Sequence, residues 1–250
     1  MNTERFTGRA DIYDRYRSRF PQAVIGLLRE HCNLQPGDLV ADIGAGTGMF
    51  AELFLDHGNH VIAVEPNAEM RAACRRLLSH PERLQIVDAA AESTGLAAAS
   101  IDLIAVGRAF HWFDRVRALA EFKRILKPHG WLVLAATSPA RESSEAAREY
   151  QQLIVSHAID LAIVRQHFGS YDGLKPFGDT QAFAATITGE DRLTLDAFTG
   201  LIQSFSIMPL PGDTRHKPML EAIEAYFSKW SSDGILRLET ESRVNGWRVD

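Results

Sequence analysis

Between Val40 and Gly48 the chain reads Val-Ala-Asp-Ile-Gly-Ala-Gly-Thr-Gly. An apolar run carries an acid, Asp42, and ends in Gly44, Gly46 and Gly48, with Ala45 between the first two. Positions without side chains at the carboxyl end of a strand let a ligand lie against the backbone. The first amides of the helix that follows point at the same spot. Glu65 closes the next apolar run, seventeen residues after Gly48, where an acid can accept hydrogen bonds from two ribose hydroxyls. The pattern is a nucleotide-type site, but the glycine spacing is G-x-G-x-G rather than the G-x-G-x-x-G of dinucleotide folds. Asp42 would meet a pyrophosphate badly and suits a ligand carrying positive charge near the turn.

S-adenosylmethionine has that charge, in an amino group and a sulfonium, together with a ribose and an adenine. A second candidate group is Arg108-Ala-Phe-His-Trp, at the carboxyl end of the fourth apolar run. Open α/β sheets place their ligands there. Phe110, His111 and Trp112 can line a substrate pocket, with His111 as a general base. The competing reading has Trp112 and Phe113 packing the next helix and His111 orienting a loop. Tyr13 and Arg17 stand four apart and share a helix face. Arg17 either pairs with a ligand carboxylate or belongs to a charged, solvated helix with Arg15 and Arg19. The histidines have no metal-ligand spacing, and Cys32 and Cys74 read as reduced thiols. No metal site is expected.

These residues need a scaffold, and the hydrophobic periodicity supplies one. Strands are expected at Leu39 to Ile43, Val61 to Val64, Leu84 to Val87, Ile101 to Val106 and Trp131 to Ala136. Helices are expected at Thr47 to His57, Ala68 to Leu78 with Asn67 as N-cap, and Val116 to Leu126. Lys127-Pro-His-Gly130 reads as a stop before the fifth strand. Alternating strands and helices imply right-handed crossovers and a doubly wound, mostly parallel sheet. The fold class is α/β, Rossmann-like, with a partly helical C-terminal insertion. Beyond Thr137 helices are expected in 139–168, at Leu195 to Phe205 and at Pro218 to Trp230. Strands are expected at Ala182 to Thr188 and at Ile235 to Val249. The expected organisation is a cofactor-binding core over 1–137 with an N-terminal helix, a substrate lid over 138–212, and a C-terminal helix and strand over 213–250 that complete the core.

The 250 residues are 46% hydrophobic and 24% charged, with a formal charge of −5. That balance fits an ordinary soluble globular protein and disfavours a nucleic-acid partner, which needs a basic surface. No apolar run approaches a membrane span and residues 1–19 lack a signal-peptide core. A cytoplasmic protein with a small-molecule partner is expected, and the sequence specifies no oligomeric state.

Over Phe6 to Thr137 the chain resembles the class I S-adenosylmethionine-dependent methyltransferases, specifically the type-11 group. Asp42-Ile-Gly-Ala-Gly-Thr-Gly48 is similar to the family's first motif, and Glu65-Pro-Asn-Ala-Glu-Met70 to its ribose-binding acid and second helix. Ala91-Glu92 resembles the adenine-contacting segment, although Ala90 stands where many relatives carry Asp or Thr. Arg108-Ala-Phe-His-Trp-Phe-Asp114 and Leu126-Lys-Pro-His-Gly-Trp-Leu132 also match. The resemblance implies that Asp42, Gly44, Ala45, Gly46, Gly48, Glu65, Pro66, Ala91, Glu92 and Arg108 hold S-adenosylmethionine, with Tyr13 and Arg17 folding over it. It further implies methyl transfer to a small molecule, with S-adenosylhomocysteine as product. Arg141, Arg165, His167 and Tyr171 are candidate contacts to an anionic acceptor. Alternatives are a methyltransferase acting on nucleic acid or protein, a protein that binds the cofactor without catalysis, and an NAD-dependent oxidoreductase. Against the first, no Asn-Pro-Pro-Tyr or Asp-Pro-Pro-Tyr follows the fourth strand. Against the last stands the glycine spacing.

Overall fold

A computed structural model of the chain describes residues 8–140, 144–160, 174–178 and 182–249. Seven strands form one sheet: β1 (Leu39–Ile43), β2 (His60–Val64), β3 (Leu84–Val87), β4 (Ile101–Gly107), β5 (Leu126–Pro139), β6 (Ala182–Leu193) and β7 (Leu236–Arg248), in the order β3-β2-β1-β4-β5-β7-β6. β1 to β5 run parallel, and β7 lies antiparallel between β5 and β6. The order reverses at β1, which has β2 on one side and β4 on the other. A ligand crevice forms at such a switch point.

Period-two alternation divides the strands between two faces. Val40, Val61, Leu103, Val133 and Ala135 face a core shared with α2 (Ala23–Cys32) and α3 (Met49–His57), including Leu28, Phe50 and Phe54. Ala41, Ile43, Ile104, Val106, Leu132 and Leu134 face the opposite core, with Phe122 and Ile125 of α5 (Arg115–Ile125). Each buried Leu, Ile or Phe contributes about 1.5–3 kcal/mol, so a one-residue slip of a strand would exchange its two faces and undo both cores. α4 (Ala68–Leu77) begins where Asn67 accepts a hydrogen bond from the Met70 amide. α5 begins likewise at Asp114, which accepts from Arg117.

The expected strands and helices of the parallel half are found within two residues, apart from β5. It starts at Leu126 rather than Trp131. The supposed stop residues are absorbed as an irregularity: Leu126 pairs with Ile101 and Trp131 with Leu103. His129 carries the turn at φ 65°, so Pro128 and Gly130 bend the strand without ending it.

The remaining elements build a third core. α6 (Glu145–His157), α7 (Leu195–Gln203) and α8 (His216–Trp230) enclose Tyr150, Ile154, Phe198, Ile202, Ile223 and Tyr226. Leu236 and Leu238 of β7 close its base. β6, inside the stretch read as a lid, is the edge strand of the main sheet and extends to Leu193. Its last residues, Gly-Glu-Asp-Arg-Leu, carry no strand signal of their own, yet they pair with β7 residue by residue from Gly189 to Leu193. Partner hydrogen bonds override the weak propensity. α1 (Ala10–Tyr16) lies on α7: a Cβ on Gly200 would stand 2.3 Å from the Tyr16 ring. The Arg9 guanidinium donates to the carbonyls of Gln203, Phe205 and Met208 at 2.7–2.9 Å, satisfying the chain as it leaves α7. No helix among the described residues is long and apolar enough to cross a membrane.

Candidate active site

The site starts at the β1–α3 turn. Gly44, Gly46 and Gly48 have φ of 71°, 59° and 92°, a region that costs any other residue strain. Two of them also have no room. A Cβ on Gly44 would stand 2.7 Å from the Ala109 Cβ, and one on Gly48 would stand 2.5 Å from Leu78. Gly46 faces open space. The amides of Gly44 and Ala45 donate to the Val64 carbonyl, which ties the turn to the end of β2.

Glu65 continues β2 and is held by the same turn. One carboxylate oxygen accepts from the Gly46 amide at 2.9 Å and the other from the Asn67 amide at 2.8 Å. Burial raises its pKa, and those two amides and Arg71 oppose the rise. Pro66 is half-buried beside it. The acid is thus oriented by backbone groups, and each oxygen keeps lone-pair capacity for further donors.

Asp42 is fully buried, and neither of its carboxylate oxygens has a hydrogen-bond partner. Burial pushes its pKa up to about 7; the Ala51 amide, near but outside hydrogen-bonding geometry, offsets part of this and the Glu65 charge adds to it. The Thr47 hydroxyl, in the same turn, is buried and unpartnered too. Unmade bonds of this kind cost about 1–3 kcal/mol each. Two acids and a hydroxyl around a glycine turn accept a cationic, hydrogen-bonding ligand and repel a phosphate. The turn therefore fits S-adenosylmethionine, as the residue types imply. Thr47 is a site candidate that the reading of the sequence passed over; its place inside the glycine run was the available signal.

The β3 segment contributes backbone. The Ala91 side chain is buried in the core under α5. Glu92 accepts from the Asp114 amide at 2.8 Å and so holds the start of α5. The residue before the pair is Ala90, whose carbonyl accepts from the Ser93 amide.

The loop after β4 adjoins the glycine turn through Ala109 and Phe113. Arg108 occupies the left-handed region at φ 56°, a strained conformation for a non-glycine residue. Its guanidinium turns under the N-terminal segment, donating to the Ser18 carbonyl and lying 4.4 Å over the Phe20 ring. Arg108 is thus a clamp on residues 18–20. Phe110 is buried against Phe113 at 6.0 Å. Trp112 packs against both the α5-side core and the third core, which joins the sheet to the helical cap. His111 stands beside it, ring centroids 4.7 Å apart. Burial, then the charges of Arg17 and Arg115, hold the His111 pKa down at about 4.

The N-terminal pair is also brought in. The Arg17 guanidinium lies 5.0 Å from the centroid of the Tyr13 ring and 4.2 Å from that of Phe205, the arrangement of a cation–π sandwich. Burial lowers its pKa to about 10. Arg15, in α1, and Arg19, beyond its end, are exposed, whereas Arg17 is half-buried. Arg141, Arg165, His167 and Tyr171 lie outside the described residues. No cluster of three or more potential metal ligands exists among the described residues.

With the geometry in place, comparisons with known proteins bear on it. A family model of the methyltransferase domain matches residues 41–134. Residues 41–134 thus match a methyltransferase domain of the type-11 group. An uncharacterized methyltransferase of Mycobacterium tuberculosis is 33% identical over 129 residues, covering 52% of this chain and 50% of the relative. The chain thus spans about half the length of these curated relatives. A proposed type II methyltransferase from Anaeromyxobacter dehalogenans superposes with a TM-score of 0.68 at 27% identity, over 93% of this chain and 98% of that one. Phosphoethanolamine N-methyltransferase 2 of Haemonchus contortus, in complex with phosphomonomethylethanolamine and S-adenosylhomocysteine, shares the fold at a TM-score of 0.50 and 15% identity. That match covers 96% of this chain and 57% of that one. The methyltransferase domain thus carries the glycine turn, Glu65 and the loop after β4, whereas the third core falls outside the matched segment.

Proposed function

We propose that the protein transfers the methyl group of S-adenosylmethionine to a small-molecule acceptor by in-line displacement. One observation carries the reading: Asp42, buried without a partner beside the glycine turn and Thr47. An amino or sulfonium group there would supply the opposite charge that Asp42 lacks. Glu65, already oriented by Gly46 and Asn67, would take the ribose hydroxyls, and the backbone of Ala91 and Glu92 the adenine. When bound, the cofactor supplies an activated methyl and a neutral leaving group, so the protein's task is positioning and exclusion of water.

The chain's own residues divide that task. Arg108 clamps residues 18–20, and Arg9 clamps the end of α7, so the N-terminal segment lies over the sheet against the cap. Phe110 and Trp112 wall the acceptor side. His111, with a pKa near 4, is neutral at physiological pH but too weak a base to deprotonate a phenol efficiently, so in this reading it shapes the pocket. Residues 144–157 and 195–230 form the cover under which the acceptor is held.

The test is production of S-adenosylhomocysteine from S-adenosylmethionine with fractions of a cell extract as acceptor source. Turnover with the protein-free, nucleic-acid-free small-molecule fraction supports the proposal. Turnover only with protein or nucleic acid contradicts it, as does cofactor binding without turnover on any fraction.

A further inference from the structure

A second set of unpaired polar groups lies on the opposite side of the β4 loop from Asp42, and its sign is reversed. Tyr150 of α6 is buried, and its hydroxyl has no hydrogen-bond partner. Arg17 has no carboxylate within ion-pair distance among the described residues, and its Nε is buried and unpartnered. The two groups feel each other's charge, and Arg17 in turn acts on His111. Through the Phe205 ring Arg17 adjoins the end of α7, while the loop after β4 adjoins the glycine turn through Ala109. Arg115 lies over the Phe110 ring at 5.6 Å and adds positive potential at His111. The region is aromatic, with a buried hydroxyl donor and the guanidiniums of Arg9, Arg17 and Arg108 against one carboxylate, Asp191, which accepts from the Ser18 hydroxyl.

We propose that this region binds a small carboxylate and that the carboxylate is the methyl acceptor, held by Arg17 and the Tyr150 hydroxyl. The proposal rests on the cofactor reading above and adds the substrate class to it. A guanidinium sandwiched between the Tyr13 and Phe205 rings keeps its fork geometry and matches a carboxylate. The aromatic walls suit the carbon skeleton behind it. The chemistry agrees with the absence of a base: one ionised oxygen uses its lone pair to form the new O–CH3 bond. The electrons of the broken S–CH3 bond stay on sulfur, and no proton moves. A phenol or an ammonium group would have to lose a proton, and His111 is poorly placed in acidity to take it.

The experiment has two readouts on wild type, Arg17→Gln and Tyr150→Phe. The first is calorimetric titration of succinate, glutarate, tricarballylate and phenylacetate into protein saturated with S-adenosylhomocysteine. The second is transfer of radiolabelled methyl to the same acids and to matched phenols and amines, with alkaline hydrolysis to release ester methyl groups as methanol. The expected result is binding of at least one acid, a base-labile product, and a loss of acid affinity of at least about tenfold in each variant. Cofactor affinity should stay within about twofold of wild type. Three results overturn the proposal: tight cofactor binding with no acid bound or methylated; label that is stable to base; or cofactor affinity that collapses in Arg17→Gln, which would make Arg17 a cofactor ligand. Failure of the wild type to bind S-adenosylmethionine at all would instead sink the reading beneath it. Tyr150→Phe keeps the ring packing, so a folding defect confined to Arg17→Gln does not mask the answer.

Discussion

The turn after β1 and the cap beneath α6 to α8 are built on opposite electrostatic plans. Around the glycines the groups without partners are acidic or neutral acceptors, Asp42 and Thr47. Under the cap they are donors, Arg17 and Tyr150. The β4 loop lies between, touching the glycine turn through Ala109 and the cap core through Trp112. A methyl donor with positive charge and an acceptor with negative charge would each be drawn to its own side. The charge pattern itself would then set the order of the two ligands, with little demand on acid–base chemistry.

Substitutions that break one side and spare the other sharpen this contrast. The largest effect is expected at Gly44. Ala there meets both a left-handed backbone and the Ala109 Cβ at 2.7 Å, so the turn must shift. Cofactor affinity should fall by roughly a hundredfold or more, which is about 2.7 kcal/mol. Gly46→Ala, which has the same strain but open space, should cost only about 1–2 kcal/mol of stability. Calorimetry and melting curves of the two variants separate room from conformation. Equal loss of cofactor binding in both would show that close approach at Gly44 is not what matters.

On the cap side, Arg9→Met removes the donors that reach the carbonyls of Gln203, at the end of α7, and of Phe205 and Met208 beyond it. Buried acceptors left unmade should lower stability by about 2–4 kcal/mol in urea titration, while the affinity of the folded protein for the cofactor changes little. A matching loss of cofactor affinity would mean that the two regions are not separable.

A smaller and pH-dependent effect is expected from Asp42→Asn. The folded pKa of about 7 stands above the ordinary value of 3.8. The folded state therefore holds the proton more tightly, and stability of the ligand-free protein is lost as pH rises from about 4 to about 7. Asn cannot ionise, so the variant should melt roughly 3–10 °C higher than wild type at pH 8. At pH 4 the two should agree closely. A variant that melts lower at pH 8 would show that Asp42 has a stabilising partner.

The smallest change is expected from His111→Gln. With no base role, its kcat should stay within about threefold of wild type, and kcat should show no limb between pH 5 and 8 from this residue. A hundredfold drop in kcat at unchanged KM would restore it as a general base.

How far the sequence exposes each region follows from the same contrast. The parallel half repeats short buried strands, tight turns and capped helices, so each local signal agrees with the global arrangement. Leu39–Ile43, Leu84–Val87 and the Asn67 cap are visible from residue types alone. The glycine turn is visible because only glycine fits its φ values and its clearances. In β6 and β7 the partner strand decides, so the charged run at 190–192 conceals a strand end. The resemblance points to Arg108 at the cofactor, but no residue type announces its second task, the hold on Ser18 and Phe20. Tyr150 is one of several apolar positions along α6, and nothing in its spacing reveals that its hydroxyl faces no partner. Such groups emerge only when distant segments meet, here residues 13–17, 111, 150 and 205.

The most direct test of the central claim is calorimetric titration of S-adenosylmethionine and of NAD into the wild type, Glu65→Ala and Asp42→Asn. The account predicts micromolar affinity for S-adenosylmethionine, weakened about 10- to 100-fold by each substitution, and no measurable binding of NAD. Preference for NAD, or an affinity for S-adenosylmethionine indifferent to both substitutions, would contradict it.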